Sequence, residues 1–141
     1  MIYILINFWQ ILAATVAGFA FAVVYYAGLS NPWRRAARLS AEEAKASPAT
    51  LAISFAAEFW IASILAGAII LAPEEAGAWT MAIGTAVVIW IGFVMPTMLV
   101  NHRYQKAPAL LTAIDGGHWL GVMVLQVCVL QALSLTPPPG G

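Results

Sequence analysis

Charged residues are scarce in this chain. Six Lys and Arg and six Asp and Glu make up 9% of its 141 residues, and the formal net charge is zero. A soluble domain is on average about 25% charged. So few charges cannot cover the surface that a small soluble domain leaves in water, which excludes a soluble fold. Nucleic-acid binding needs a basic surface to offset phosphate charge, so we expect no nucleic-acid partner.

Cysteine pairs and catalytic motifs are lacking as well. Cys128 is the single cysteine, which excludes an intrachain disulfide and a cysteine-rich metal site. The opening sequence MIYILINFWQ has no Lys or Arg before its apolar run, so we expect a retained membrane span rather than a cleaved signal peptide. No Ser-His-Asp, HExxH, P-loop or Rossmann pattern occurs. The sequence therefore predicts no enzyme activity, no cofactor and no metal.

Long apolar runs are abundant. Hydrophobic residues form 62% of the chain, and its mean hydropathy is +0.88. Crossing the hydrocarbon core takes about 20 mostly apolar residues. Four runs qualify, at about 2–27, 50–71, 79–100 and 110–133. The sequence predicts an all-α, polytopic bundle of four transmembrane helices, with residues 1–141 forming a single membrane domain.

The basic residues predict the orientation of the bundle. All of them fall in the first and third loops, at 28–49 and 101–109, whereas the second loop holds only Glu74 and Glu75. They are Arg34, Arg35, Arg38, Lys45, Arg103 and Lys106. Because short loops rich in Lys and Arg stay in the cytoplasm, we predict a cytoplasmic (inner) membrane protein with both termini outside. These residues either set the topology alone or also contact anionic lipid headgroups.

Two polar segments predict local structure outside the spans. Ser40 and Glu43 have the spacing of a capping box, which predicts a short helix over 41–46 before Ser47-Pro48 ends it. The TPPPGG tail predicts a flexible end. Aromatic residues at the ends of the spans, among them Tyr25, Tyr26 and Trp33, are typical of membrane interfaces. We expect His102, in the second basic loop, to be solvated.

Three ionisable residues lie inside predicted spans, where such groups need partners. Glu58 is eight residues beyond Thr50 and His118 is eight beyond Leu110, so both are expected about 12 Å deep. Asp115 is three residues before His118 on the same helical face. We predict one buried polar cluster of these three side chains, with Gln126 further along the same face.

Several roles remain open for that cluster. Desolvation and neighbouring charge could suit it to a proton relay. Three mixed ligands could hold a metal ion, and His118 or His102 could ligate haem, although no ligand motif supports either role. The alternative is structural, with the cluster holding the helices together at about 0.6–2 kcal/mol per hydrogen bond.

Small residues predict close helix packing. Gly117 and Gly121 form a GxxxG motif in the fourth span, and Ala14 and Gly18 lie on a small-residue stripe of the first. Such faces let helices approach closely within one chain or between two copies.

Two segments resemble a known family. Tyr25–Trp33 ends the first span with aromatic residues, a turn and tryptophan, and Ile91–Leu125 combines a Gly-Phe pair, a prolyl kink, a basic loop and a glycine-aromatic fourth span. The chain resembles a family of small four-helix integral membrane proteins, mostly bacterial, classed only as a domain of unknown function. The resemblance implies a membrane bundle and no activity.

Two function hypotheses follow. The first is a structural or accessory component that forms a homo-oligomer or is a subunit of a larger membrane complex, with membrane lipids as its other partners. The alternative is a small proton-coupled carrier or channel built on Glu58, Asp115 and His118.

Overall fold

The computed structural model describes residues 2–73 and 76–139, and Glu74 and Glu75 lie outside the described residues. Of the described residues, 79% are helical and none lies in a strand. In chain order the helices are α1 (Ile2–Ile6), α2 (Phe8–Gly28), α3 (Ser30–Ala37), α4 (Pro48–Ile70), α5 (Ala78–Ile89), α6 (Met95–Tyr104) and α7 (Ala109–Ala132). A π-helical turn, Trp90–Val94, joins α5 to α6. The predicted all-α class is confirmed.

Four of these segments are long and apolar enough to cross a membrane. They are α2, α4, the continuous run Ala78–Tyr104 and α7, with mean hydropathies of 1.8, 1.9, 2.1 and 1.5 over their most apolar stretches. The third span reaches Tyr104 rather than about residue 100, so the loop before α7 is shorter than expected. The chain thus folds as a multi-pass bundle of four candidate membrane helices.

Local sequence explains where the spans begin. The Ser47 side chain accepts a hydrogen bond from the Thr50 backbone N–H at 3.1 Å, and Pro48 occupies the first helical position of α4. Gly77 precedes α5 with φ +79°, a conformation that favours glycine. These residues determine where α4 and α5 begin.

The π-helical turn accommodates a proline inside the third span. Pro96 has no N–H to donate and its ring crowds the preceding turn. The Met95 N–H donates to the Trp90 carbonyl, five residues back, which widens the helix there. The Thr97 hydroxyl donates to the Phe93 carbonyl at 2.7 Å, so a side chain satisfies a backbone carbonyl of the π-helical turn.

The fourth span, α7, is the centre of the bundle. It packs against α2, α3, α4, α5 and α6, and 44% of its most apolar stretch is buried, against 6% for the third span. Small residues line the core: Ala14, Ala62, Ala66, Ala82 and Ala86 are buried with larger side chains such as Leu65, Met123 and Leu130. Lipid supplies no hydrophobic drive between helices, so close approach through small residues provides the packing attraction.

The alternating spans give the bundle two distinct ends. All six Lys and Arg residues lie at what we call the basic end, where α3 and the segments 38–47 and 105–108 are found. What we call the terminal end holds α1, the segment after α4 and the chain after α7.

The first loop differs from expectation. Residues 41–46 form one hydrogen-bonded turn rather than a helix, because Ser47 and Pro48 begin α4 immediately afterwards. The predicted capping contacts are nevertheless present: the Ser40 N–H donates to Glu43 Oε2 at 2.9 Å, and the Glu43 N–H donates to Ser40 Oγ at 3.3 Å. The hydroxyl and backbone of Ser40 lower the pKa of Glu43 below its ordinary value. The helix in this loop is instead α3, upstream.

The tail after α7 is anchored at Thr136, which corrects the expectation of a flexible end at that residue, whereas Gly140 and Gly141 of the predicted tail lie outside the described residues. Asn7 is fully buried between α1 and α2, and its side-chain amide donates to the Thr136 carbonyl at 2.9 Å. Its Oδ1 accepts from the Thr136 N–H at 2.8 Å. One side chain therefore satisfies both backbone groups of Thr136, and Leu135 packs against the core.

Candidate functional site

The Asp115 carboxyl joins three elements of the bundle. Its Oδ1 accepts hydrogen bonds from the Tyr26 hydroxyl at 2.8 Å and the Trp33 indole N–H at 3.0 Å. His102 Nε2 lies 3.8 Å from Oδ2. Asp115 on α7 is thereby connected to α2, α3 and α6. We call Asp115, Tyr26, Trp33 and His102 the Asp115 cluster.

His102 lies inside this cluster rather than in solvent. Its side chain is 14% exposed, and its Nδ1 is 3.0 Å from the Thr112 hydroxyl. Arg103 also donates to that hydroxyl, at 3.1 Å. The expectation of a solvated His102 was wrong because α6 continues as a helix to Tyr104 and presents His102 to α7.

His118 is buried among aromatic rings. Its ring centroid lies 4.7 Å from that of Tyr26, 4.9 Å from that of Trp119 and 5.9 Å from that of Tyr25. Neither ring nitrogen has a hydrogen-bond partner. His118 is next to the Asp115 cluster without being bonded to it.

Glu58 lies elsewhere, beside Gln126. Glu58 is 2% exposed and Gln126 is fully buried. The Gln126 side-chain amide donates to the Glu58 backbone carbonyl at 3.2 Å. Gly18 of α2 faces both, because a methyl group added there would lie 2.8 Å from Glu58 Oε2 and 3.0 Å from Gln126 Nε2. We call these two residues the Glu58–Gln126 pair.

The single predicted cluster is therefore divided in two. Glu58 is ten residues after the start of α4 and Gln126 is seventeen after the start of α7, so α4 is displaced by about 10 Å along α7. Counting depth from the start of each span assumed that the two helices begin at the same level. The stagger places Glu58 level with Gln126 and leaves His118 and Asp115 closer to the basic end.

The predicted packing residues lie between α2 and α7. Gly117 faces the Tyr25 hydroxyl, Gly121 faces the Phe21 ring, and Gly18 faces the Glu58–Gln126 pair. Ala14 is fully buried in the core. The structure thus places the GxxxG face inside the bundle, against another span of the same chain.

The basic residues that could contact lipid headgroups are spread over the basic end. Arg34 and Arg35 lie in the last turn of α3, and Arg38 follows it with φ +59°. Arg34 also donates to Asn31 at 2.8 Å. On the other side, Arg103 lies in the last turn of α6 and Lys106 follows with φ +55°. These five side chains therefore lie at the ends of two helices, α3 and α6.

Several polar contacts escaped the sequence reasoning. Tyr26 and Trp33 were assigned to the membrane interface, yet both donate to Asp115. Trp90 donates to the Gly116 carbonyl at 2.8 Å, and Tyr25 donates to the Ile114 carbonyl at 2.9 Å. The sequence signal that could have predicted these contacts is an acid, Asp115, on the fourth span, with aromatic hydrogen-bond donors, Tyr26 and Trp33, near the same end of the first span.

The polar residues do not assemble a metal centre in the part of the chain that the structure describes. Within residues 2–73 and 76–139, no three His, Cys, Asp or Glu side chains come together in a way that could hold a metal ion. What the Asp115 cluster does is connect helices.

The fold defines a class, that of multi-pass membrane proteins built as a bundle of four apolar helices. Within this class, the family described as Protein of unknown function (DUF1761) matches residues 9–131, and the chain belongs to that family. The match covers all four spans and confirms the family resemblance. No curated protein and no solved structure matches the chain.

Proposed function

We propose that this protein is a structural or accessory component of a membrane assembly, as a homo-oligomer or as a subunit docked on a larger complex. The observation that carries the proposal is the Asp115 cluster. Its carboxyl accepts from residues of two helices and approaches a residue of a third, so the one acidic side chain of α7 fixes the positions of other helices. Trp90, Tyr25 and Asn7 also join separate elements by hydrogen bonds to the backbone.

The short loops support the same proposal. Helices account for most of the chain, and the segments between spans are too short to form a soluble domain. A protein of this form presents mainly helix surfaces to its surroundings, and such surfaces bind lipids and other membrane helices.

The native mass of the protein tests this function. The protein would be tagged, extracted from its own membrane in a mild detergent and measured by native mass spectrometry. We expect either stoichiometric foreign subunits or a homo-oligomer. A bare monomer of 15.0 kDa across a series of mild detergents would contradict the proposal.

One observation favours the second candidate, a small proton-coupled carrier or channel. Glu58 Oε2 and both His118 ring nitrogens are buried without partners, and unsatisfied ionisable groups inside a membrane protein often mark a transport route. In reconstituted vesicles, wild-type protein would then carry a proton or solute flux that Glu58→Gln abolishes. Equal flux in wild-type, Glu58→Gln and empty vesicles would eliminate this candidate.

We also propose that the bundle lies in the cytoplasmic membrane with its basic end in the cytoplasm and both termini outside. The support is the collection of all six Lys and Arg residues at one end. There, Arg34, Arg35, Arg38, Arg103 and Lys106 contact anionic headgroups as well as setting the topology.

Cysteine labelling tests the orientation. In a Cys128→Ala background, Ser134→Cys marks the terminal end and Lys45→Cys the basic end. A membrane-impermeant maleimide added to intact cells should label the first variant and not the second. The reverse pattern would overturn the orientation.

A further inference from the structure

The Glu58–Gln126 pair contains two acceptor oxygens without donors. Glu58 Oε2 and Gln126 Oε1 are both buried, and neither has a hydrogen-bond partner. An unsatisfied buried acceptor is destabilising, so two such atoms on two contacting residues require an explanation.

The orientation of the Gln126 amide is fixed by its other contact. Gln126 Nε2 donates to the Glu58 backbone carbonyl at 3.2 Å. A carbonyl can only accept, so the nitrogen and not the oxygen must face it. Turning the amide over would place two acceptors against each other and cannot satisfy Oε1.

No basic side chain in the described structure offsets a charge on Glu58. All six Lys and Arg residues lie at the basic end, and the two ion pairs formed by the described residues do not include Glu58. From α2, Gly18 faces the pair, and the hydroxyl of Thr15, three residues before Gly18, already donates to the Ile11 carbonyl. A bare buried carboxylate without a partner costs several kcal/mol.

Cys128, two residues after Gln126, is nearly level with the pair, but residues at this spacing do not share a face of α7. The other titratable groups on the neighbouring helices lie at other levels. His118 is two turns from Gln126 along α7, and Tyr3 of α1 packs at Gly67, nine residues beyond Glu58 on α4. The third span carries no Asp, Glu, Lys, Arg or His between Ala78 and Val100. The groups that face Glu58 are therefore an amide, a glycine and apolar side chains.

We propose that the Glu58–Gln126 pair is a proton-binding site in the middle of the bundle. A proton bound to the Glu58 carboxylate converts one acceptor into an O–H donor, and this O–H donates to Gln126 Oε1. A single hydrogen thus removes the carboxylate charge and satisfies Gln126. The proposal is independent of whether the protein is an accessory component.

A proton fits the site better than a metal cation. Ca²⁺ takes about six to eight oxygen ligands and Mg²⁺ about six. The pair offers two oxygens without donors, and the close approach of Gly18 on α2 adds no side-chain ligand. A dissociated proton leaves as a hydrated proton and returns the carboxylate, so the site needs no other reactant.

Infrared spectroscopy of the protein in lipid vesicles tests the proposal. The C=O stretching band of a protonated carboxyl is separate from the carboxylate bands. At neutral pH we expect one such band, which is lost in Glu58→Gln and shifted in Gln126→Leu because the acceptor oxygen is gone. Gln131→Leu, near the terminal end of α7, is the matched control and should leave the band unchanged.

Two results from these bands would overturn the proposal, and a third would assign the site to a different ligand. In one, the wild-type spectrum at neutral pH contains only carboxylate bands. In the other, Gln126→Leu leaves the band where it is, which would mean that the two residues do not share the proton. A carboxylate signal that changes when sodium replaces choline would assign the site to a cation instead.

Carbodiimide labelling supplies a second measurement that needs no variant. Dicyclohexylcarbodiimide enters apolar sites and reacts with protonated carboxyls, whose proton passes to a carbodiimide nitrogen as the carboxyl oxygen bonds to its central carbon. Peptide mapping should find the label at Glu58 and not at the exposed Glu42 and Glu43. Label on Glu42 and Glu43 with none on Glu58 would contradict a proton-carrying, apolar site.

Discussion

The hydrogen bond between Tyr26 and Asp115 should contribute measurably to the stability of the bundle. The perturbation is a pair of substitutions, Tyr26→Phe and Asp115→Leu, made singly and together. Tyr26→Phe removes one bond of 2.8 Å and keeps the ring. Asp115→Leu keeps a similar shape but removes the acceptor for both Tyr26 and Trp33.

The structure sets the expected magnitudes. Interhelical hydrogen bonds in membrane proteins average about 0.6 kcal/mol and reach about 1.7, so Tyr26→Phe should cost about 1 kcal/mol. Asp115→Leu leaves two half-buried donors without an acceptor, at about 1–3 kcal/mol each, and should cost about 2–6 kcal/mol in total. The coupling free energy between Tyr26 and Asp115 should be about 1 kcal/mol.

The assay is equilibrium unfolding of the purified protein in mixed micelles, followed by helical circular dichroism as the fraction of SDS is raised. Tyr104→Phe is the matched control, because Tyr104 lies at the same end of the bundle and is 86% exposed. The two residues share one interaction, so the double variant should lose about 1 kcal/mol less than the sum of the two single losses, and a loss equal to the full sum refutes the reasoning. It is refuted equally if Tyr104→Phe couples to Asp115→Leu as strongly as Tyr26→Phe does.

Three further predictions concern packing, the tail and the first loop. Gly121→Ala should destabilise the bundle by about 1–3 kcal/mol, because the added methyl group overlaps the Phe21 ring of α2. In the control Gly84→Ala, the methyl group meets nothing within 4 Å and should not destabilise the bundle. SDS unfolding compares the two variants, and equal losses of stability would contradict the packing. Asn7→Leu should release Thr136 and raise hydrogen exchange of the Thr136 amide by roughly tenfold or more, because both of its backbone hydrogen bonds to Asn7 are lost. Unchanged exchange of that amide would contradict the anchoring. Because the pKa of Glu43 is lowered in the folded protein, Glu43 stabilises its turn above its unfolded pKa and loses this effect as pH falls through its folded pKa. NMR should therefore detect the Ser40 amide leaving its hydrogen bond to Glu43 in acid. A Ser40 amide chemical shift that does not change with pH would contradict this prediction.

The sequence predicts the class of fold well because the four spans are long and uniformly apolar. The features that it misses depend on single polar contacts or on a local change of helix type. The tail is held by Asn7, which lies 129 positions away from Thr136 along the chain. The π-helical turn accommodates Pro96, and the pattern of apolar residues does not predict this change of helix type.

The candidate site was only partly predictable for a geometric reason. Composition and spacing identify Glu58, Asp115, His118 and Gln126 as buried polar groups, but they do not give the displacement of one helix along another. A displacement of about 10 Å between α4 and α7 changes the partner of Glu58 from His118 to Gln126. The donors to Asp115 were hidden for a different reason, since tyrosine and tryptophan at a span end also fit a membrane interface.

The most direct test of the division into two polar groups is a distance measurement by solid-state NMR in lipid bilayers. The protein would carry ¹³C in glutamate and ¹⁵N in glutamine and histidine side chains. We predict a dipolar contact between the Gln126 side-chain nitrogen and the Glu58 backbone carbonyl carbon, whose oxygen accepts that hydrogen bond at 3.2 Å. A contact between the Glu58 carboxyl carbon and the His118 ring nitrogens, with none to Gln126, would contradict the structure and restore a single cluster.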